Sequence, residues 1–138
     1  MPPVRTFIDS CLLIAAAQGT RECSERAMHI LDDPDREFVT SDFVELEVLP
    51  KAIYNRKDDE ADFYRTFIAA AQDIVRSSQA LVTQAKAEAE QAGLSAVDAL
   101  HVAAARFSRC DELVTTERPT SPLFRVTGLA IATIHDGS

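Results

Sequence analysis

The sequence predicts an α/β fold, a three-layer sandwich in which helices cover both faces of a central parallel sheet of about four or five strands. Short β-branched or aromatic segments alternate along the chain with longer segments in which apolar residues recur at helical spacing. This alternation favours parallel strands joined by right-handed crossovers through helices. No repeat, linker or low-complexity segment divides the 138 residues, so we expect a single domain over residues 1–138.

The first half of the chain is expected to contain two strands and four helices. A turn at Asp9 and Ser10 ends the first strand, and Thr20 and Ser41 are placed to cap helices. Pro50 is expected to kink the third helix because proline lacks an N–H group. The predicted strands are residues 4–8 and 37–40, and the predicted helices are residues 12–17, 20–31, 42–54 and 58–71. The third helix carries an apolar stripe of Phe43, Leu46, Leu49, Ile53 and Tyr54.

The second half is expected to contain two helices and two or three strands. Gly93 should end the first of these helices, and Ser95 should cap the second, which we expect to be buried. Residues between the last two strands should be irregular because Pro119 and Pro122 disrupt regular structure. The predicted helices are residues 78–92 and 96–107, and the predicted strands are residues 74–75, 112–116 and 129–134. The apolar positions of the second helix are Val97, Leu100, Ala104 and Phe107.

Composition and charge restrict the class of protein. With 46% hydrophobic residues the chain should fold, and no apolar run is long enough for a membrane span or resembles a signal peptide. Three cysteines without a C-x-x-C pair argue against a disulfide framework and a structural zinc site, so we expect reduced thiols and a cytoplasmic protein. The net charge of −8 means that a nucleic-acid ligand would need metal ions and a few local cations for attraction.

Four acidic residues occupy corresponding positions in the predicted fold. Asp9 ends the first strand, Glu47 follows the second strand by one helical turn, Asp98 begins the buried helix, and Glu117 ends a later strand. In a parallel sheet these positions meet at the carboxyl edge, where ligands bind. Because converging carboxylates repel one another unless cations neutralise them, the pattern predicts a site for a hard divalent cation such as Mg²⁺.

Each acid also has a purely structural interpretation. Taken alone, any of the four is explained as well by local structure as by metal binding. The structural interpretations are a strand-end turn for Asp9, an ion pair with Lys51 for Glu47, a cap with Ser95 for Asp98, and solvation for Glu117.

Four blocks of sequence resemble the PIN-domain family, the fold of VapC-type toxin ribonucleases, over nearly the whole chain. The block at 94–105 is the most specific, and the block at 7–10 alone would be weak. The remaining blocks are residues 41–48 and 113–117. The resemblance implies a PIN-like α/β/α sandwich and a metal-dependent endoribonuclease, with the toxin half of a toxin–antitoxin pair as one version of that function. It also implies RNA and an antitoxin protein as partners, and a homodimer.

The resemblance further implies roles for individual residues. One or two Mg²⁺ or Mn²⁺ ions would be coordinated by Asp9, Glu47, Asp98 and Glu117. Ser10 and Thr115 would support these ligands through hydroxyl hydrogen bonds, and Lys51 and Arg118 are the cations best placed to contact phosphate. Glu45 competes for the second position, but it points about 200° away from Glu47 on a helix, and similar motifs select Glu47.

Two features depart from the family pattern and support an alternative function. The last acid is usually Asp but here is Glu117, and the following residues 118–122 lack an additional acid that many relatives carry. A PIN domain that binds RNA or protein without cutting is therefore a second hypothesis. His101 lies one turn after Asp98, but we expect it to fill a helix position with its second ring nitrogen satisfied locally.

Overall fold

The computed structural model describes residues 2–136 and has the predicted α/β architecture. The strands are β1 (Val4–Ile8), β2 (Arg36–Ser41), β3 (Asp73–Val75), β4 (Glu112–Thr115) and β5 (Ala130–Thr133). The helices are α1 (Ser10–Gln18), α2 (Arg21–Leu31), α3 (Asp42–Tyr54), α4 (Asp58–Ala70), α5 (Gln79–Ala92) and α6 (Ala96–Phe107). All five strands are parallel and form one sheet in the order β3-β2-β1-β4-β5, flanked by the helices.

The register of the central strands determines which residues share the carboxyl edge. Ile8 of β1 lies opposite Val114 of β4, and Phe7 lies opposite both Val39 of β2 and Leu113 of β4. These apolar side chains are at most 1% exposed and form the centre of the core. The residues that immediately follow β1 and β4 therefore emerge next to each other at the same edge of the sheet.

Helix caps explain where the helices begin. Asp9 is the N-cap of α1, so the chain passes from strand to helix at this residue instead of through the predicted turn. Ser41, Ser78 and Ser95 accept hydrogen bonds from the first turns of α3, α5 and α6 in the same way. Gly93 ends α5 with φ of 69°, a left-handed conformation that favours glycine.

Two details of the predicted helices are wrong. The buried face of α3 consists of Val44, Val48 and Ala52, whereas Leu46 and Tyr54 of the predicted stripe are 65% and 86% exposed. Since the two faces of α3 are both apolar, periodicity alone could not select the one that packs on the sheet. Val97 and Phe107 of α6 are also exposed, whereas Ala104 of the predicted positions is buried together with His101.

The connection after β4 is more ordered than the sequence predicts. Residues Pro122–Arg125 form a 3₁₀ helix, capped by the Ser121 hydroxyl, which accepts a hydrogen bond from the Leu123 N–H at 3.2 Å. Pro122 is compatible with this helix because proline is tolerated in a first turn. Within residues 2–136 the three cysteines are free, and no helix is long and apolar enough to cross a bilayer.

Candidate active site at the carboxyl edge of the sheet

The structure brings the four predicted acids within electrostatic reach of one another around the end of β1. The thiol of Cys11, at the start of α1, has its pKa raised to about 12 by partial desolvation and by the charges of all four carboxylates. In decreasing order of effect these are Asp9, Glu117, Glu47 and Asp98. Residues from the junction between β1 and α1, from α3, from α6 and from the segment after β4 thus contribute to a single anionic cluster, which we call the acidic cluster.

Asp9 is the buried member of the acidic cluster, with only 2% of its surface exposed. Its Oδ1 accepts the Leu12 N–H at 2.9 Å, and the Thr115 hydroxyl also hydrogen-bonds to the carboxylate. Burial raises the pKa of Asp9 to about 6, although these hydrogen bonds and His101 act in the opposite direction. The N-cap explains the position of Asp9, but it does not remove the free-energy cost of its buried charge.

Glu47 is held by two donors from other elements. Its Oε1 accepts a hydrogen bond from the Ser10 hydroxyl at 2.8 Å and lies 2.9 Å from Nε2 of His101. Burial raises the pKa of Glu47, but the hydrogen bonds from His101 and Ser10 outweigh that effect and leave it below its ordinary value. The structural interpretation of Glu47 required an ion pair with Lys51. The Glu47 carboxylate instead contacts Ser10 and His101.

Asp98 combines a structural position with a place in the acidic cluster. Its N–H donates to the Ser95 hydroxyl at 3.3 Å, which confirms the predicted helix cap. Burial raises the pKa of the Asp98 carboxyl, and the negative charges of Glu117 and Glu47 raise it further. The helix cap therefore explains the backbone position of Asp98, but it does not explain why the pKa of its carboxyl is raised.

Glu117 is fixed by the ordered segment that follows β4. Its carboxylate accepts a short hydrogen bond from the Ser121 hydroxyl. Its backbone N–H donates to Thr115 at 3.2 Å, and its carbonyl accepts the Thr133 hydroxyl at 2.5 Å. Glu117 is half-buried and hydrogen-bonded, so its interpretation as a fully solvated side chain is wrong.

The donor set of the acidic cluster fits a hard divalent cation by its chemistry. Carboxylate oxygens are the ligands that Mg²⁺ and Mn²⁺ prefer, and a cation would offset the burial and repulsion that raise the pKa values of Asp9 and Asp98. In the part of the chain that the structure describes, however, no three His, Cys, Asp or Glu side chains stand in a ready ligand arrangement. Glu47 and Glu117 instead direct carboxylate oxygens to protein donors.

The fold and the acidic cluster agree with the comparison to known families. The family model of the PIN domain matches residues 6–118, which include all four acids. This chain belongs to the PIN-domain family. No curated protein sequence matches it.

Solved structures share the fold of this PIN-domain protein at low sequence identity. VapBC2 from Rickettsia felis, bound to a promoter DNA fragment, has a TM-score of 0.69 at 15% identity, covering 94% of this chain and 98% of that chain. A toxin–antitoxin complex from Klebsiella pneumoniae has a TM-score of 0.66 at 22% identity, covering 91% of this chain and 95% of that chain. VapC20 from Mycobacterium tuberculosis, a toxin that cleaves the sarcin–ricin loop, has a TM-score of 0.60 at 16% identity, covering 78% of this chain and 86% of that chain.

His101 contacts the acidic cluster of this PIN-domain protein, although the sequence predicted only a structural place for it in the helix. It is 2% exposed, and its ring centroid lies 5.7 Å from that of Phe7. Its Nε2 contacts Glu47, while Nδ1 has no hydrogen-bond partner within residues 2–136. The expectation of a locally satisfied second nitrogen is therefore wrong. The available signal was its position one turn after Asp98, which puts both side chains on the same side of α6.

The cations of the site lie at its rim. Lys51 and Arg118 are both exposed. Lys51 lines a cleft of about 440 Å³ between α1, α3 and α4, together with Glu47, Lys57 and Asn55. The cleft thus adjoins the acidic cluster at Glu47, and its remaining lining combines two lysines with a second acid, Glu60, and apolar side chains of α1 and α3.

Proposed function

We propose that this PIN-domain protein is a metal-dependent endoribonuclease that cleaves RNA phosphodiesters with Mg²⁺ or Mn²⁺. The ions would be held by Asp9, Glu47, Asp98 and Glu117. The proposal is carried by one observation: four carboxylates from separate elements share one edge of the sheet, and two have raised pKa values. The charges of Asp9 and Asp98 oppose folding unless a cation neutralises them. Family membership supports the same reaction class.

Each side chain would contribute in a way that follows from its contacts. A bound cation would activate water and offset the charge that develops on the phosphodiester. Asp9 provides a buried carboxylate that is fixed by the α1 N-cap and by Thr115. Ser10 orients Glu47, and hydrogen bonds to Thr115 and Thr133 fix the backbone of Glu117. Fixed carboxylates lower the reorganisation needed when the charge on the substrate changes.

The positively charged side chains at the rim of the site would attract RNA phosphates, which the negative net charge of the protein does not. We assign phosphate contacts to Lys51 and Arg118, because both are exposed beside a member of the acidic cluster. A single-stranded RNA segment would pass Lys51 along the cleft towards Lys57. The remaining surface, with a net charge of −8, would repel RNA elsewhere.

Lys51→Gln is expected to raise KM for RNA about three- to tenfold and to leave kcat nearly unchanged. The lysine contacts substrate equally in the ground and transition states, so its loss weakens uniform binding. Kinetics at two salt concentrations would measure this effect, and the dependence of KM on salt should become shallower. Lys86→Gln is the matched control, since Lys86 lies on α5 and lines a different groove. Equal changes in both variants would contradict the assignment.

We further propose that the protein is the toxin of a toxin–antitoxin pair and forms a homodimer. The toxin–antitoxin complexes with the same fold support the toxin assignment. The exposed apolar residues Leu46, Ile53 and Tyr54 on α3 offer surface for protein contacts. Light scattering of the purified chain would give its oligomeric state, and a monomer at micromolar concentration would contradict the dimer.

The second candidate is a PIN domain that binds RNA or protein without cutting. The hydrogen bond between Glu117 and Ser121 favours this second function, because the Ser121 hydroxyl occupies the carboxylate that replaces the usual Asp. Binding of Mn²⁺ and cleavage of a structured RNA, both measured on the same protein, distinguish the two functions. The nuclease predicts a higher melting temperature with Mn²⁺ and cleavage that EDTA stops. RNA binding without either effect would establish the second function.

A further inference from the structure

The two hydrogen bonds to Glu47 converge on one oxygen. Ser10 and His101 approach from α1 and α6, and both contact Oε1, at 2.8 and 2.9 Å. Oε2 has no donor within residues 2–136. A glutamate on an exposed helix face would normally sample several rotamers, and its side chain here is still 34% exposed. The two donors restrict it to one orientation.

The His101 side chain has no other polar contact that would explain its burial. Its side chain is 3% exposed, one face packs against Phe7, and Nδ1 is without a partner in the described part of the chain. Burying a polar ring costs free energy unless its nitrogens are hydrogen-bonded. An apolar residue of similar size would satisfy the core better. The contact with Glu47 is therefore the feature that accounts for a histidine at this position.

The direction of the hydrogen bond follows from the chemistry of the pair. A carboxylate oxygen can only accept, so in this 2.9 Å contact Nε2 of His101 carries the proton and donates. Ser10 donates to the same oxygen, which fills the accepting positions of Oε1 on the protein side. Oε2 is left without a protein donor.

We propose that His101 is a positioning residue that, together with Ser10, holds Glu47 by Oε1 and leaves Oε2 as the oxygen that binds the divalent cation. This inference rests on the proposed function, because it assumes that the acidic cluster binds a metal. Carboxylates that ligate metals are commonly hydrogen-bonded by neighbouring groups, and loss of such a group weakens metal affinity. His101 would act through Glu47 and would not contact RNA.

The test compares four variants in Mn²⁺ binding by calorimetry, without RNA. His101→Phe fills the space but cannot donate, and we expect its Kd for Mn²⁺ to rise about 10- to 100-fold. His101→Gln places an amide N–H near the position of Nε2 and should bind within about threefold of the wild type. His101→Asn is polar but too short to reach Glu47, and should lose affinity as the Phe variant does. His29→Phe, at an exposed position of α2, is the control and should be unchanged.

Melting temperatures in EDTA separate positioning from a structural role. If His101 only stabilised the core, Mn²⁺ affinity would follow the melting temperature, and the Gln variant would have no advantage over the Asn variant. That result, or wild-type affinity in the Phe variant, would overturn the inference while leaving the nuclease proposal intact. If the Phe variant does not fold, the contrast between Gln and Asn still decides. Absence of Mn²⁺ binding by the wild type would instead overturn the proposed function.

Discussion

Asp98→Asn is expected to lower metal-dependent RNA cleavage by about 100- to 1,000-fold or more while the protein remains folded. The substitution keeps the size of the side chain and the backbone hydrogen bond from the Asp98 N–H to Ser95, but it removes one negative charge from the acidic cluster. Since the pKa of Asp98 is raised by burial and by Glu117, removing its charge should not destabilise the fold. Single-turnover cleavage of a structured RNA in Mn²⁺, with circular dichroism as the check on folding, measures the effect.

The control for this experiment is another acid in the first turn of a helix. Asp59→Asn changes an exposed carboxylate of α4 and should leave the cleavage rate within about twofold of the wild type. Cleavage by Asp98→Asn at the wild-type rate would defeat the assignment of Asp98, and with it the shared metal site. A tenfold loss in both variants would indicate a general effect of charge on RNA binding.

Asp9→Asn is expected to stabilise the metal-free protein at pH 7.5 by about 2 to 3 kcal/mol. The pKa of Asp9 is about 6 in the folded protein and 3.8 in the reference state, and each pKa unit corresponds to about 1.4 kcal/mol. Between these values the folded state binds more protons than the unfolded state, so the wild type loses stability as pH rises from about 4 to 6. Asparagine can still cap α1 and accept from Thr115, but it carries no charge to bury.

Urea denaturation in EDTA at pH 4 and pH 7.5 measures this difference. The advantage of Asp9→Asn should be present at pH 7.5 and should nearly vanish at pH 4, where Asp9 is protonated in the folded protein. Asp42→Asn is a control for which we expect the opposite change in stability. Hydrogen bonds from Ser77 and Arg76 lower the pKa of Asp42, so this substitution should destabilise the protein at pH 7.5. A less stable Asp9→Asn protein at pH 7.5 would contradict the prediction.

Addition of Mn²⁺ should reverse the order of stability between the wild type and Asp9→Asn. A cation that binds the folded state stabilises it by mass action, and only the wild type retains the full set of carboxylates. The acidic cluster would thus lower stability when empty of metal and favour folding when metal binds. This relation links the proposed function to a measurement that does not depend on an RNA substrate.

The sequence by itself determined the architecture and the positions of the candidate site residues. Strand and helix periodicities are local properties, and so are the caps at Thr20, Ser41 and Ser95 and the stop at Gly93. Because carboxyl ends of parallel strands share one edge, the strand positions were enough to predict that Asp9 and its three partners lie close together. The blocks that resemble the PIN-domain family could also be identified from the sequence alone.

Only the tertiary structure decided which atoms meet. His101 and Glu47 are 54 positions apart and come together because α3 and α6 pack side by side, a contact that no local pattern encodes. The same holds for the apolar residues of α3, where burial of Val48 and exposure of Leu46 depend on how the helix rotates against its neighbours. Periodicity identifies the faces of a helix, but the shape of the surrounding core selects the face that is buried.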